Sequence, residues 1–229
     1  MKKLFFISLL CICNIAVSQE SITKNIGDFS TLKVFNGIEV VLIKSSDQKL
    51  EISGKKADLV KIKNVNNILK LSLPFSVKPS DNYADGDVLI NLYYNKNIDI
   101  LDANEGATIT GKDFNQNQIS VNAQERAFIN LTIKSTNLNV VATSGGIIKL
   151  TGVTEYQDVR TDLYGIYHGF NLKSTAISNV KAGTGAKAEI LSVGTLNAKV
   201  SFGGSIFYKG KPENITTKKV IGGIIQNSN

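Results

Sequence analysis

The sequence predicts an all-β fold, a right-handed parallel β-helix-like solenoid with coils of about 20 residues. Three observations carry this. A motif recurs at about that period, apolar residues alternate with a period of two inside each motif, and Gly, Asn, Ser and Thr mark the turns while prolines number only three in 229 residues.

The repeat is anchored on Ala103, Ala123, Ala142, Leu163, Ala182 and Val200. Two residues before the anchors stand Leu101, Val121, Val140, Thr161, Val180 and Ala198. Four residues after them stand Ala107, Ala127, Gly146, Tyr167, Ala186 and Gly204, and six after them Ile109, Ile129, Ile148, Gly169, Ala188 and Ile206. Alternate residues of a strand share one face, so two short strands meeting at a corner turn all four positions inward. The corner ends in Gly106, Gly145, Gly185 or Gly203 in four of the six copies, which allows a positive φ there. One coil cannot bury its own interior, so coils must stack and share a core. In the Leu163 coil, Tyr167 takes a small-residue place and Gly169 an isoleucine place, a swap that roughly preserves volume.

The same template fits Leu32, Val34, Ile38 and Val40, with Gly37 at the corner. Strands are expected at 50–54, 68–73 and 88–94, a helical turn or two at 58–62, and a loop over 74–87. Residues 212–219 read as a loop and 220–225 as a last strand. The domain reading is a single solenoid over 19–229: an irregular part at 19–97, regular coils at 98–210 and a cap at 211–229.

Residues 1–18 read as a signal peptide. Lys2 and Lys3 precede an apolar run from Leu4 to Val17, and Ala16-Val17-Ser18 is a small-x-small cleavage site, so the mature chain is expected to begin at Gln19. The apolar run is short of the roughly 20 residues that a membrane span needs, and no later stretch is longer. The expected location is therefore the periplasm, the outer-membrane surface or the exterior. Cys11 and Cys13 both fall in the leader, so the mature chain has no thiol for disulfides, nucleophilic catalysis or metal binding. Losing Lys2 and Lys3 takes the formal charge from +7 to +5, a mildly basic balance. With only Arg126 and Arg160 as arginines and no recognition motif, nucleic acid is not an expected partner.

The run Val34-Phe35-Asn36-Gly37-Ile38-Glu39-Val40 resembles the opening motif of the head GIN domain family, an auto-transporter adhesin group common in Bacteroidota. The order of later elements is similar too: Leu50-Glu51-Ile52-Ser53-Gly54, Leu69-Lys70-Leu71, Gly203-Gly204-Ser205-Ile206, Lys209-Gly210-Lys211-Pro212 and Gly222-Gly223. The resemblance spans nearly the whole mature chain. It implies an exported, β-helix-like protein of a Gram-negative bacterium, and it brings no catalytic residues.

The candidate chemistry is sparse. His168, the sole histidine, points outward in the repeat frame and reads as a surface residue. Asp81, Asp85 and Asp87 resemble the first half of a calcium loop, but Tyr83 and Leu92 stand where an EF-hand needs oxygen ligands. A polar turn is the default there and a non-EF calcium site the alternative; no other cofactor is indicated. Glu105 and Glu125 share a place in successive coils, about 4.8 Å apart, near the 5–5.5 Å of a retaining glycosidase pair. They sit at an exposed corner beside Arg126, so a solvated turn is the default reading. Asp102 and Asp162 share a register three coils apart. Asn130-Leu131-Thr132 and Asn214-Ile215-Thr216 match the glycosylation acceptor pattern, which chance explains.

The outward faces carry more. Phe128, Ile147, His168, Phe170 and Phe207 fall five or seven residues after anchors and form a stripe across coils, with Tyr164 and Tyr156 nearby. Either the N-terminal segment or a loop covers this stripe, or it is a surface for a polysaccharide or an envelope protein. The expected function is non-enzymatic, adhesin-like binding to a carbohydrate or cell-envelope partner. The alternatives are an assembly scaffold of the envelope and, behind it, a polysaccharide hydrolase or lyase.

Overall fold

The computed structural model describes residues 21–74 and 87–229. The expected signal peptide with Cys11 and Cys13, and Asp81 and Asp85 of the calcium-like loop, lie outside the described residues. The chain folds as stacked coils of about 19 residues, a β-solenoid of about seven turns.

The regular turns begin with β8 (Ile100–Ala103) and β9 (Thr108–Ala123), and continue through β10 (Phe128–Ala142), β11 (Ile147–Thr161) and β12 (Ile166–Ala182). They end with β13 (Lys187–Ser192), β14 (Thr195–Ser201), β15 (Ser205–Lys209), β16 (Asn214–Val220) and β17 (Ile224–Asn227). Each strand pairs in parallel with its equivalent one coil away. The core is the apolar column set that the repeat predicts, Leu101, Val121, Val140 and Val180 on one side of the corner and Ile109, Ile129 and Ile148 on the other, all buried. Two residues per corner commonly take positive φ, among them Glu105 with Gly106, Ser144 with Gly145 and Phe202 with Gly203. Where the interior must turn, it is polar: Ser135, Thr154, Ser174 and Ser192 are buried and stack in one register, each hydroxyl bonded to a neighbour or to backbone.

The structure corrects one register. Ala142 pairs with Thr161, and Thr161 with Ala182, so Thr161 and not Leu163 is the anchor of its coil. Leu163 is instead a corner residue, half exposed, with φ 45°. Tyr167 therefore stands in the large-residue column, opposite Ile148 and Ala188. The volume exchange survives in another form. A Cβ on Gly169 would lie 2.6 Å from the Tyr167 ring, so the missing side chain of Gly169 is where that ring sits.

The N-terminal part is not a run of successive coils. It comprises β1 (Ile22–Asn25), β2 (Thr31–Val34), β3 (Glu39–Lys44), β4 (Lys49–Ser53), a 3-10 turn (Ala57–Leu59), β5 (Lys61–Val65), β6 (Ile68–Ser72) and β7 (Leu89–Tyr94). β2 lies in parallel between β6 and β8, and β3 between β7 and β9, so the first coil in sequence is the second in space. β4 runs antiparallel to both β1 and β7, and β5 antiparallel to β6. A second correction falls at the other end. Residues 212–219 hold a strand rather than a loop, because Ile215, Thr216 and Thr217 extend well and pair with Leu196, Asn197 and Ala198.

Candidate functional site: an open groove across the coils

Post-corner strands carry two outward columns. One runs Thr108, Phe128, Ile147, Ile166, Lys187 and Ser205. The other runs Asn130, Lys149, His168, Glu189 and Phe207. The irregularity between Lys149/Thr151 and their partners lets Phe170 swing out beside them. Phe128, Ile147, His168 and Phe170, together with Lys149, Asn171, Glu189 and Lys209, line an open groove of about 610 Å3.

The structure thus brings four of the six predicted residues together. Phe207 stands farther along the stack, beyond Glu189, with the Lys187 ammonium 5.8 Å from its ring centroid. Between the Phe128–Phe170 group and Phe207 the stripe is interrupted by the charged pair Lys187 and Glu189. Tyr164 does not join the groove. It is a corner residue at φ 64°, highly exposed, with its ring packed over Gly185. Tyr156 lies on the pre-corner face, between Asn137 and Ile177. The N-terminal strand does not cover the groove: β1 pairs with β4.

The groove's electrostatics are organised by Glu189. Its carboxylate lies 2.8 Å from His168 Nδ1 and 2.6 Å from Lys187 Nζ. Burial raises the Glu189 pKa, but the hydrogen bonds from Lys187 and His168 outweigh it and hold the carboxyl below its ordinary value. The Lys209 ammonium sits 4.6 Å from the Phe170 centroid, a cation–π contact that keeps this ring half-covered. A carboxyl with a lowered folded pKa stabilises the fold above its unfolded pKa. That contribution is lost as pH falls through the folded value. Glu189→Gln is therefore expected to lower the melting temperature at neutral pH, with the gap to the parent protein closing as pH falls below the lowered folded pKa of the carboxyl. Melting curves across that range check it; a constant offset would mean that the carboxylate's charge is irrelevant.

The other candidates are placed plainly. Glu105 and Glu125 are exposed at successive corners, and Glu105 accepts a hydrogen bond from Asn36. Asp102 and Asp162 do not share a register. Asp102 pairs with Asn122, in the column that reaches Arg160, and its carboxylate meets Lys33 at 3.3 Å. Asp162 belongs to the corner, where Oδ1 accepts from the Leu163 and Thr184 amides. The Asp87 carboxylate meets Lys56 at 2.8 Å. Among the described residues no cluster of three His, Cys, Asp or Glu could hold a metal ion, and no helix is long and apolar enough to cross a membrane.

What the sequence reading missed lies on the pre-corner face. There Arg160, Lys181, Lys199 and Lys218 stack in one column. Part of the signal was present: Lys181 and Lys199 each immediately precede an anchor, Ala182 and Val200, and Arg160 precedes the corrected anchor Thr161.

Fold and groove define a parallel β-solenoid that presents outward side chains in fixed columns. Residues 28–212 match the family described as "Putative auto-transporter adhesin, head GIN domain", and the chain belongs to that family. Among solved structures it is similar to a putative adhesin from Bacteroides fragilis, with a TM-score of 0.76 and 19% identity, covering 92% of this chain and 98% of that one. A putative adhesin from Parabacteroides merdae gives 0.70 at 17% identity, covering 93% and 98%. A putative lipid binding protein from Parabacteroides distasonis gives 0.66 at 17%, also covering 93% and 98%. At these identities the likeness shows the fold. No curated protein matches the chain.

Proposed function

We propose that the protein is exported, matures at about Gln19 into a single solenoid domain, and acts without catalysis by holding a carbohydrate or cell-envelope partner in the Phe128–Phe170 groove. Family membership supports an adhesin-like role. The observation that carries the reading is the groove itself: Phe128, Ile147 and Phe170 give it apolar lining, while Lys149, Glu189 and Lys209 add charges and His168 and Asn171 add hydrogen-bonding groups. Sugars present an apolar C–H face and a ring of hydroxyls, and this arrangement offers a complement to each. The reading requires no cofactor.

The test is a glycan and envelope-polysaccharide array probed with Gln19–Asn229 and with a Phe128→Ser/Phe170→Ser variant. Selective binding by the parent, weakened at least tenfold in a variant with an intact circular dichroism spectrum, is the expected result. Equal binding by both proteins would remove the groove from the mechanism. No binding by the parent would favour an assembly scaffold, which sedimentation of the same samples would reveal as oligomers.

A further inference from the structure

The pre-corner strands build a second outward face. Its central column runs Asn139, Asp158, Asn179, Asn197 and Thr216 in strict parallel register. The amides are threaded to one another: Asn179 Nδ2 donates to Asp158 Oδ1 at 2.8 Å, and Asn197 Nδ2 donates to Asn179 Oδ1 at 2.9 Å. Each amide spends one N–H on its neighbour and retains another for a ligand. Beside this column, two residues farther along each strand, stand Arg160, Lys181, Lys199 and Lys218. All four are exposed.

Stacking places these cations about 4.8 Å apart, roughly 14 Å from first to last. Like charges directly opposite each other in a sheet are destabilising. On other parts of the surface lysines meet carboxylates, as in Lys33 with Asp102, Lys49 with Glu51 and Lys187 with Glu189. Here only Arg160 has such a partner, Asp162 at 3.7 Å; Lys181, Lys199 and Lys218 make no ion pair among the described residues. The flanking carboxylate, Asp158, is turned to Asn179. The two columns lie together in a groove of about 620 Å3. A second depression, lined by Gln118, Ser120, Asn137 and Tyr156, also borders Asn139 and Asp158 and extends the track toward earlier coils.

We propose that this face binds a linear acidic polysaccharide, its carboxylates or sulfates along the cation row and its hydroxyls on the amide column. The row supplies charge at a regular interval along one direction, which suits a chain with an anion on successive units. The amide floor supplies paired donors and acceptors, which a hydroxylated chain satisfies. A single-stranded nucleic acid would stack its bases on aromatic rings, and Tyr156 is the sole aromatic side chain on this stretch of the face. The inference goes beyond the Phe128–Phe170 groove and stands or falls separately from it.

The test uses the mature chain and immobilised polygalacturonate, with its methyl-esterified form as the uncharged match. Single-stranded DNA serves as an unrelated polyanion. The variants are Lys181→Gln/Lys199→Gln/Lys218→Gln and a control of equal charge change, Lys24→Gln/Lys61→Gln/Lys134→Gln. The expected result is binding to polygalacturonate that falls at least tenfold in the ladder variant, with a shallower salt dependence. The control variant should lose less than threefold, the ester should not bind, and DNA should compete poorly. The Phe128→Ser/Phe170→Ser variant should bind polygalacturonate as the parent does, which separates failure here from failure of the groove reading. Equal losses in the two lysine variants would reduce the effect to net charge. DNA competing as well as polygalacturonate would overturn the polysaccharide assignment, and so would absence of binding by the parent.

Discussion

Tyr167→Ala is expected to destabilise the solenoid by about 3–5 kcal/mol, as for other aromatic truncations in a packed core. Tyr167 is completely buried. Its ring occupies the space left by Gly169 and faces Ile148 and Ala188 in the coils on either side. The backbone ladder fixes the spacing of those coils, so they cannot move together to fill the void. Truncation also disturbs a polar chain: the Tyr167 hydroxyl donates to Gln157 Oε1 at 3.4 Å, Gln157 Nε2 donates to Ser178 at 3.0 Å, and Ser178 reaches Ser192 at 3.2 Å. Burial pushes the phenol far above its ordinary pKa, so it remains a neutral donor in alkaline solution. Tyr167→Phe keeps the ring and is expected to cost only about 1 kcal/mol, the net value of one hydrogen bond. Urea unfolding of both variants checks the pair. An alanine variant within 1 kcal/mol of the parent would mean that the ring is not packed as described.

The coil interior was legible because it repeats. Each of the columns through Val121 and Ile129 recurs with similar residues, so alternation and period agree coil after coil. Legibility failed at Leu163 for a specific reason. Hydrophobic pattern favours Leu over Thr as a core residue, yet here Thr161 is buried, with an unpartnered hydroxyl, and Leu163 is at the corner. The local clue was Asp162, whose side chain caps the turn as Asx residues do. The insertion of β2 between β6 and β8 had no local clue at all. It is a choice of partner between distant strands, and alternation fixes which face is inward without fixing the neighbour.

The candidate sites followed the register. In the Phe128–Ile147 column the frame was right, and those residues do meet. Sliding the next coil by two residues merged His168 into that column, while in the structure it pairs with Lys149 and Glu189. The same slip put Asp162 where Arg160 belongs. The first cation of the row was thereby replaced by an apparent carboxylate, and reading 212–219 as a loop removed the last, Lys218. Charge ladders are more sensitive to register than cores are: an apolar misplacement still looks apolar, whereas one misplaced charge reverses the sign at its position and shortens the row.

Gly152 offers the sharpest check on coil spacing itself. It lies in β11 between Ile133 and Leu172, at φ 121°, and a Cβ there would fall 1.9 Å from the Ile133 carbonyl oxygen. Gly152→Ala must therefore both strain the backbone and force adjacent coils apart, at a combined cost of about 3 kcal/mol or more. Gly106→Ala separates the two effects. Gly106 also has positive φ, 74°, but nothing lies within 4 Å of its added Cβ. Its cost should be the backbone preference alone, about 1–2 kcal/mol. Because each coil stabilises only its neighbours, the Gly152 loss should appear first as faster amide exchange in β10 and β12. Equal costs for the two substitutions would show that the Ile133 carbonyl yields freely, and that the ladder between β10 and β11 is not the rigid spacer on which both outward faces depend.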